Sequence, residues 1–372
     1  AYTENGSIFI PRGATAIAFP TGMAASATNR ARLVNSDLDV SWRARPAAWL
    51  QVTPSVGMNW QQQRFDVVTS RAEDLALFTQ TLQGSRQFAT EGRDDRRTLG
   101  FYGQLQAGVS ELLFVTAALR TDASSAFGAE ERTQYFPKLG ASFDVSGLDG
   151  WGAIAGRAVS RLRLRAALGW SGGQPAESFA RFSNYVFEPA GTLSGVANSP
   201  TQGNEGLKPE RQREIELGAD VELLGGRVGI EATYYDKAVQ DLILPRAVRP
   251  SSGFLEQLAN VGRMENRGLE LLVRTVNVDT RRFGWNTSAT LTTSDPRVTQ
   301  LSTGGAFFIP GSFNIIRVAT DTVENGSAPG HFFGTTYVRD AQGRILDARG
   351  QPIEDASGRI VGIPAIGTRQ VI

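Results

Sequence analysis

The chain has 372 residues, which at about 150 residues per domain allows two or three domains, or one all-β barrel. Its 38 basic and 37 acidic side chains leave a net charge of +1, which argues against a nucleic-acid partner or a polybasic anchor. With no cysteine and His331 as the single histidine, disulfide frameworks, thiolate metal sites, cysteine nucleophiles and two-imidazole metal sites are excluded.

Glycine, at 41 residues, is about 11 per cent of the chain against a usual 7, which favours a β architecture. No stretch reaches 18 consecutive apolar residues, so no helical membrane span is expected; spanning strands are short, alternate, and escape that test. The opening run Ala1-Tyr2-Thr3-Glu4-Asn5-Gly6 has neither the charged nor the apolar region of a secretory leader.

Period-two alternation then marks about eleven strands in chain order. Leu38–Arg45, Trp49–Arg64, Thr98–Val109, Leu112–Thr121 and Tyr135–Val145 come first. From Arg161 to Trp170 one face carries Leu162, Leu164, Ala166, Leu168 and Trp170, and the other Arg161, Arg163 and Arg165. A helix would scatter those arginines around its circumference; a strand sorts them. Arg211–Leu224 repeats the pattern, with Ile215, Leu217, Ala219, Val221 and Leu223 opposed to Glu214, Glu216, Asp220 and Glu222. Gly225-Gly226 supplies a hairpin turn into a strand with Val228, Ile230, Ala232 and Tyr234 on one face. Leu269, Leu271 and Val273 alternate with Glu270 and Arg274, a further strand spans Phe283–Leu291, and His331–Asp340 reads as a last one.

Several of these strands exceed the usual 5 or 6 residues and match the roughly 9–11 residues that cross a bilayer. Short connectors (Pro46-Ala47-Ala48, Val109–Leu112, Gly225-Gly226, Thr280-Arg281-Arg282) alternate with long ones (Ser70–Arg96, Asp122–Gln134, Ser171–Glu210, Ala238–Arg267, Thr293–Gly330). A barrel with one periplasmic and one external rim has that asymmetry. Ser146–Ser160 is intermediate, with a helical turn expected over Ala153–Val159. An arginine at the lipid midplane costs roughly 2–4 kcal/mol, so the Arg161/Arg163/Arg165 face is expected to line a polar lumen. The aromatics Tyr135, Trp170, Tyr234, Phe283 and Trp285 near strand ends fit either interfacial girdles or plain β-propensity.

Several runs resemble SusC/RagA-like TonB-dependent outer-membrane transporters. Asn260-Val261-Gly262-Arg263-Met264-Glu265-Asn266-Arg267-Gly268-Leu269-Glu270 is similar to the family's Asn-x-Gly-x-x-x-Asn-x-Gly-hydrophobic-Glu entry into a strand. Asn204-Glu205-Gly206-Leu207-Lys208-Pro209-Glu210 resembles its Asn-Pro-x-Leu-Lys-x-Glu lead-in, with Glu205 in place of the Pro. Asp122-Ala123-Ser124-Ser125-Ala126-Phe127-Gly128 resembles its Asp-Gly-Ser-Ser-Arg-Phe-Gly loop, departing at Ala123 and Ala126. Tyr135–Gly140 and Leu162–Gly169 match the family's strands in pattern, and all these pieces come in family order over roughly residues 95 to 335.

The resemblance implies an all-β fold: an antiparallel transmembrane β-barrel of 22 strands filled by a plug, of which residues 1–372 form part of the barrel domain. On that reading the plug and the closing strands lie outside this sequence. It also implies a bacterial outer-membrane location and lipid contact, energy from TonB through the plug, and a SusD-like surface lipoprotein as partner. The cargo would be oligosaccharides or peptides, with no resident cofactor. Arg161, Arg163, Arg165, Glu214, Glu216, Asp220, Glu222, Glu270 and Arg274 are the expected lumen residues for plug docking or the solute path. A passive porin and a soluble β-rich binding module are the competing readings.

No enzyme chemistry is expected. A Ser–His–Asp triad would have to use His331, and alternation alone accounts for the carboxylates of Glu214, Glu216 and Asp220. Asp340-Ala341-Gln342-Gly343, Asp347-Ala348-Arg349-Gly350 and Asp355-Ala356-Ser357-Gly358 read as successive turns rather than a calcium loop, because the dense acidic spacing of such a loop is missing.

Overall fold

The computed structural model describes the chain except residues 1, 12–20, 78–80, 156–157, 191–192, 303–306, 309–315, 320–330, 335, 354–359, 361–362, 368–369 and 372. One sheet of 14 strands dominates. Its long members are β1 (Tyr2–Ile10), β2 (Met23–Ser41), β3 (Leu50–Leu75), β4 (Gly84–Val109), β5 (Leu113–Ser124) and β6 (Thr133–Asp144). They continue with β7 (Val159–Gly173), β8 (Glu210–Leu223), β9 (Val228–Ala247), β10 (Glu256–Asp279), β11 (Gly284–Thr292) and β12 (Asp295–Leu301). Each pairs antiparallel with the next in sequence, except that β11 and β12 both lie along β10 as one strand interrupted at Thr293-Ser294. This up-and-down order is what a barrel wall requires, and among the described residues the sheet does not close on itself.

The outward face is an apolar band of fixed height. On β3 it carries Leu50, Val52, Pro54, Val56, Met58 and Trp60, and its register partners on β4 are Val109, Ala107, Leu105, Gly103, Phe101 and Leu99. Ten residue steps at ~3.4 Å span about 34 Å along the strand, and a tilt of ~40° reduces that to about 26 Å. That matches the ~25 Å apolar belt of outer-membrane barrels. The opposite face of β3 reads Gln51, Thr53, Ser55, Gly57, Asn59 and Gln61, polar or glycine throughout.

Burial is therefore inverted relative to a water-soluble domain. Leu139, Leu164 and Leu217 are 53, 46 and 54% exposed in the middle of the sheet, because lipid and not protein covers them. Of the most buried large side chains, Phe127, Leu207 and Pro175 lie in the connectors at the long-loop end and Leu75 ends β3 on the same side. Trp60, Tyr135, Trp170 and Tyr234 ring the apolar band on that side, and Trp42, Trp49, Phe283 and Trp285 stand exposed near the short-turn ends. The two rings have the placement of girdles.

The strands correct the sequence reading in length and in membership. Ser70–Arg96 and Ala238–Arg267, expected as long loops, are mostly ladder: β3 and β4 pair from Leu75/Gly84 downwards, and β9 and β10 from Ala247/Glu256. Above the apolar band both faces meet water, so alternation disappears while backbone pairing continues. For the same reason Tyr2–Ile10, with polar residues in succession, pairs with Met23–Ala31 although its sequence has no period. His331–Asp340 is a strand only over His331–Gly334 and lies outside the large sheet. The expected turn in Ser146–Ser160 is a short helix, Trp151–Ala155. Short turns do cluster at one end: Ser110 and Glu111, and Leu224 with Gly225 and Gly226, all take positive φ to reverse the chain tightly.

Leu217 and Glu216 are adjacent but face opposite solvents. Leu217→Arg is expected to cost about 2–4 kcal/mol, whereas Glu216→Arg stays within about 1 kcal/mol. Reversible unfolding from lipid vesicles, scored by heat-modifiable gel migration, measures both.

Candidate functional site: the lumen wall and the loop base

The structure sets the predicted basic and acidic rows side by side. In register, β7 meets β8 with Arg161 opposite Glu222, Arg163 opposite Asp220 and Arg165 opposite Gly218. Arg165 leans across that glycine to Asp220, its Nε donating to the two carboxylate oxygens at 3.0 and 3.1 Å and its Nη2 at 2.8 Å. The same Nη2 donates to Thr233 Oγ1 at 3.2 Å. A Cβ at position 218 would lie 2.9 Å from the Arg165 guanidinium carbon, so glycine is what lets the arginine lie flat against the wall. Arg161 pairs with Glu222 at 3.5 Å and with Asp144 at 3.6 Å, and Arg163 reaches Asp144 at 3.7 Å.

Further along the lumen face, Lys237 faces Glu214 at 3.9 Å and Arg274 holds Glu231 at 2.8 Å. Glu216 and Glu270 make no ion pair among the described residues. A cleft of about 290 Å³ opens beside this wall, lined by Gln104, Gln106, Lys138, Glu216 and Thr233 among others. Seven of the nine predicted lumen residues are thus engaged in ion pairs, and Glu216 and Glu270 project free. Asp144, Lys237, Glu231 and Lys138 were missed, although each sits on the polar side of an alternating strand. Cross-strand register, which alternation does not supply, is what joins Asp144 and Glu231 to arginines and Lys237 to Glu214.

The three motifs that carry the family resemblance lie elsewhere, gathered at the base of the long loops. Asn260 Oδ1 accepts from the Lys208 backbone N–H at 2.9 Å, and its Nδ2 donates to the carbonyls of Lys208 at 2.7 Å and Asp241 at 2.8 Å. Asn204 Nδ2 donates to the Leu258 carbonyl at 2.8 Å, and Gln257 Nε2 to that of Gly203 at 2.9 Å. The lead-in at 204–210 is in this way stapled to the start of β10. The loop at 122–128 closes the cluster: the Arg97 N–H donates to Ser125 Oγ at 3.0 Å, and Ser124 Oγ donates to Gln174 Oε1 at 3.0 Å. Gly128 lies so near the Glu205 carbonyl that a Cβ would fall 2.6 Å from it. At 268 a Cβ would collide with the Tyr235 hydroxyl and the Thr293 carbonyl, which are themselves bonded at 3.3 Å.

This geometry now has relatives. The family profile for the TonB dependent receptor-like β-barrel matches residues 4–357. The chain belongs to that family. It is 27% identical to TonB-dependent receptor P26 of Formosa agariphila over 74% of its own length and 28% of that protein. TonB-dependent receptor SusC of Bacteroides thetaiotaomicron is 24% identical over 79% of this chain and 29% of its own. The RagAB peptide transporter superposes with a TM-score of 0.73 at 19% identity, covering 94% of this chain and 39% of that one. The copper transporter OprC shares the fold at a TM-score of 0.51 and 17% identity. The chain is thus similar to both SusC and the RagAB transporter; barrels of its family reside in the outer membrane, and the chain spans less than a third of the curated relatives' length. The family is one of receptors and transporters, not an enzyme class.

His331 pairs through its backbone with Arg317 in a small separate sheet. The Asp-x-x-Gly runs are turns whose carboxylates are already occupied. Asp340 Oδ1 accepts from the N–H of Gln342 at 3.0 Å and of Arg344 at 2.9 Å, and Asp347 Oδ1 from Arg349 at 2.8 Å and Gln351 at 2.9 Å. Gly343 and Gly350 complete the two turns with φ of 84° and 78°. The third run, at Asp355, lies outside the described residues.

Asn260→Ala removes three hydrogen bonds at once. It is expected to loosen the 204–210 segment by about 1–3 kcal/mol, read as faster amide exchange at Lys208 with β8 and β9 unchanged. At Asp340 partial burial works against the charge, but the Arg344 and Gln342 amides and the Arg344 guanidinium outweigh it and hold the carboxyl below the usual range. A carboxyl lowered on folding stabilises its turn above the ordinary aspartate value of about 3.9 and loses that contribution as the pH falls through its lower native value. Protection of the Gln342 and Arg344 amides, corrected for intrinsic exchange, is therefore expected to decline on acidification, and Asp340→Asn to abolish the pH dependence.

Proposed function

We propose that this barrel wall belongs to an active outer-membrane importer of oligosaccharides or peptides, energised by TonB through a plug and served by a SusD-like surface lipoprotein. The observation that carries the reading is the lumen wall itself. From Arg161 to Glu222 it is studded with ion pairs facing a polar interior, beneath large loops braced at their base, and its relatives include SusC and the RagAB peptide transporter. Polar groups already satisfied by one another line a path without trapping a passing solute. Glu216, Glu270 and Lys138, which make no ion pair among the described residues, offer hydrogen bonds with Gln104 and Gln106 to hydroxyl- or amide-rich cargo or to plug backbone.

On this reading Arg161, Arg163 and Arg165 with Glu222 and Asp220 form the stiff wall against which the plug seats, and Glu214, Glu216, Glu270 and Arg274 face the path above it. Both roles belong to a polar lumen, and they separate by phenotype: plug-seating residues control leak, path residues control uptake.

Arg163→Glu in the full-length protein would place a third carboxylate beside Asp144 and Asp220. A partly exposed pair of this kind is worth up to about 1 kcal/mol, or roughly a fivefold effect. Uptake of labelled peptide or oligosaccharide pools by whole cells is expected to fall by that order, or antibiotic leak to rise, with outer-membrane levels unchanged. Import that persists without TonB, or unchanged uptake and leak, would count against the proposal.

A further inference from the structure

Above the apolar band the outward face of β2, β3 and β4 turns abruptly cationic. In register, Arg30 lies opposite Asp66, Arg32 opposite Arg64, Asp66 opposite Arg93 and Arg64 opposite Asp95. All of these residues share the parity of Trp60 and Met58, so they project outward and not into the lumen. The carboxylates are already taken. Both Asp66 oxygens accept from Arg64 Nε at 3.1 Å, and one also accepts from Arg93 Nε at 2.9 Å. Asp95 accepts from Gln62 at 3.0 and 3.2 Å and faces Arg97 at 3.5 Å, while Glu91 pairs with Arg93 at 3.2 Å. Arg30 and Arg32 are exposed and make no side-chain hydrogen bond or ion pair among the described residues.

Two features make this more than a solvated rim. Arg32 and Arg64 are directly opposed, and like charges in that position repel across the ladder. Their height is also fixed. Arg32 is the next outward residue after Val34, the last apolar one on β2, about 7 Å further along the strand. That is the level at which lipid headgroups begin. Directly opposed Cβ atoms lie about 4.5–5.5 Å apart, so two guanidinium groups from neighbouring strands can close on one tetrahedral anion, each offering paired N–H donors. Five arginines against three occupied carboxylates leave the patch short of negative charge.

We propose that Arg30 and Arg32, with Arg64 beside them, bind the phosphate of an anionic glycolipid headgroup in the outer leaflet. The bound headgroup supplies the counter-charge that the protein omits. Binding clamps β2 to β3 at the membrane surface, independently of what the barrel imports.

The test uses full-length protein in phosphatidylcholine nanodiscs containing a low proportion of lipid A, phosphorylated or enzymatically dephosphorylated, with retained lipid counted by native mass spectrometry. Wild type is expected to retain the phosphorylated lipid and release the dephosphorylated one. The double variant Arg30→Gln/Arg32→Gln is expected to lose about tenfold in retention, and Arg30→Lys/Arg32→Lys to keep most of it. Heat-modifiable migration identical to wild type shows that the barrel has folded in each. Equal retention by wild type and the Gln variant, or equal retention of the two lipids, overturns the proposal. A Gln variant that keeps its lipid but loses a protein partner also overturns it, and reassigns the patch to that partner.

Discussion

A strand that crosses lipid has to satisfy its backbone sideways, through its neighbours, while its side chains meet two different solvents at once. Every other feature of this protein follows from that double requirement. The ladder fixes antiparallel neighbours in sequence order, and the two solvents fix strict alternation over about 26 Å of height. The result is a wall with almost no hydrophobic core of its own, in which leucines in mid-sheet are half exposed and the well-buried side chains sit at the long-loop end, in the connectors and on the strand ends above the apolar band.

Charge is handled differently on the two faces and at the two heights. On the lumen face within the apolar band, arginine and carboxylate rows from adjacent strands interlock, with Gly218 giving Arg165 room to reach Asp220. Such partly exposed pairs add modest stability each, and they leave few fixed charges on that face unpaired. On the outer face charges begin only above Trp60 and Tyr234. There Asp66 gathers Arg64 and Arg93, and Asp236 gathers Arg213 and Arg267. Arg30 and Arg32 break that pattern of local neutralisation at the level of the lipid headgroups.

The family motifs serve a third purpose. Apart from Leu269 and Glu270, which enter the two faces of β10, they tie the 122–128, 204–210 and 260–268 segments together at the foot of the external loops. Asn260 acts as a three-bond clamp, and close backbone approaches at Gly128 and Gly268 demand glycine. A loop of some 35 residues between β7 and β8 needs a rigid footing if it is to present a defined surface. The departures at Ala123 and Ala126 leave the hydroxyl contacts of Ser124 and Ser125 in place.

What the sequence determined alone was the set of features that a period of two or a fixed local motif can encode. These are the transmembrane part of each strand, the face each charge occupies, the tight turns with their glycines, and the family. Alternation exists only where one face meets lipid, so the sequence fell silent where the strands rise above the membrane, and 70–96 and 238–267 read as loops. Tertiary structure decided the rest, because register between strands is a property of two segments and not of one. It set Arg161 against Glu222, brought Asp144 and Thr233 to the arginine row, joined Asn260 to Lys208 across 52 residues, and opposed Arg32 to Arg64.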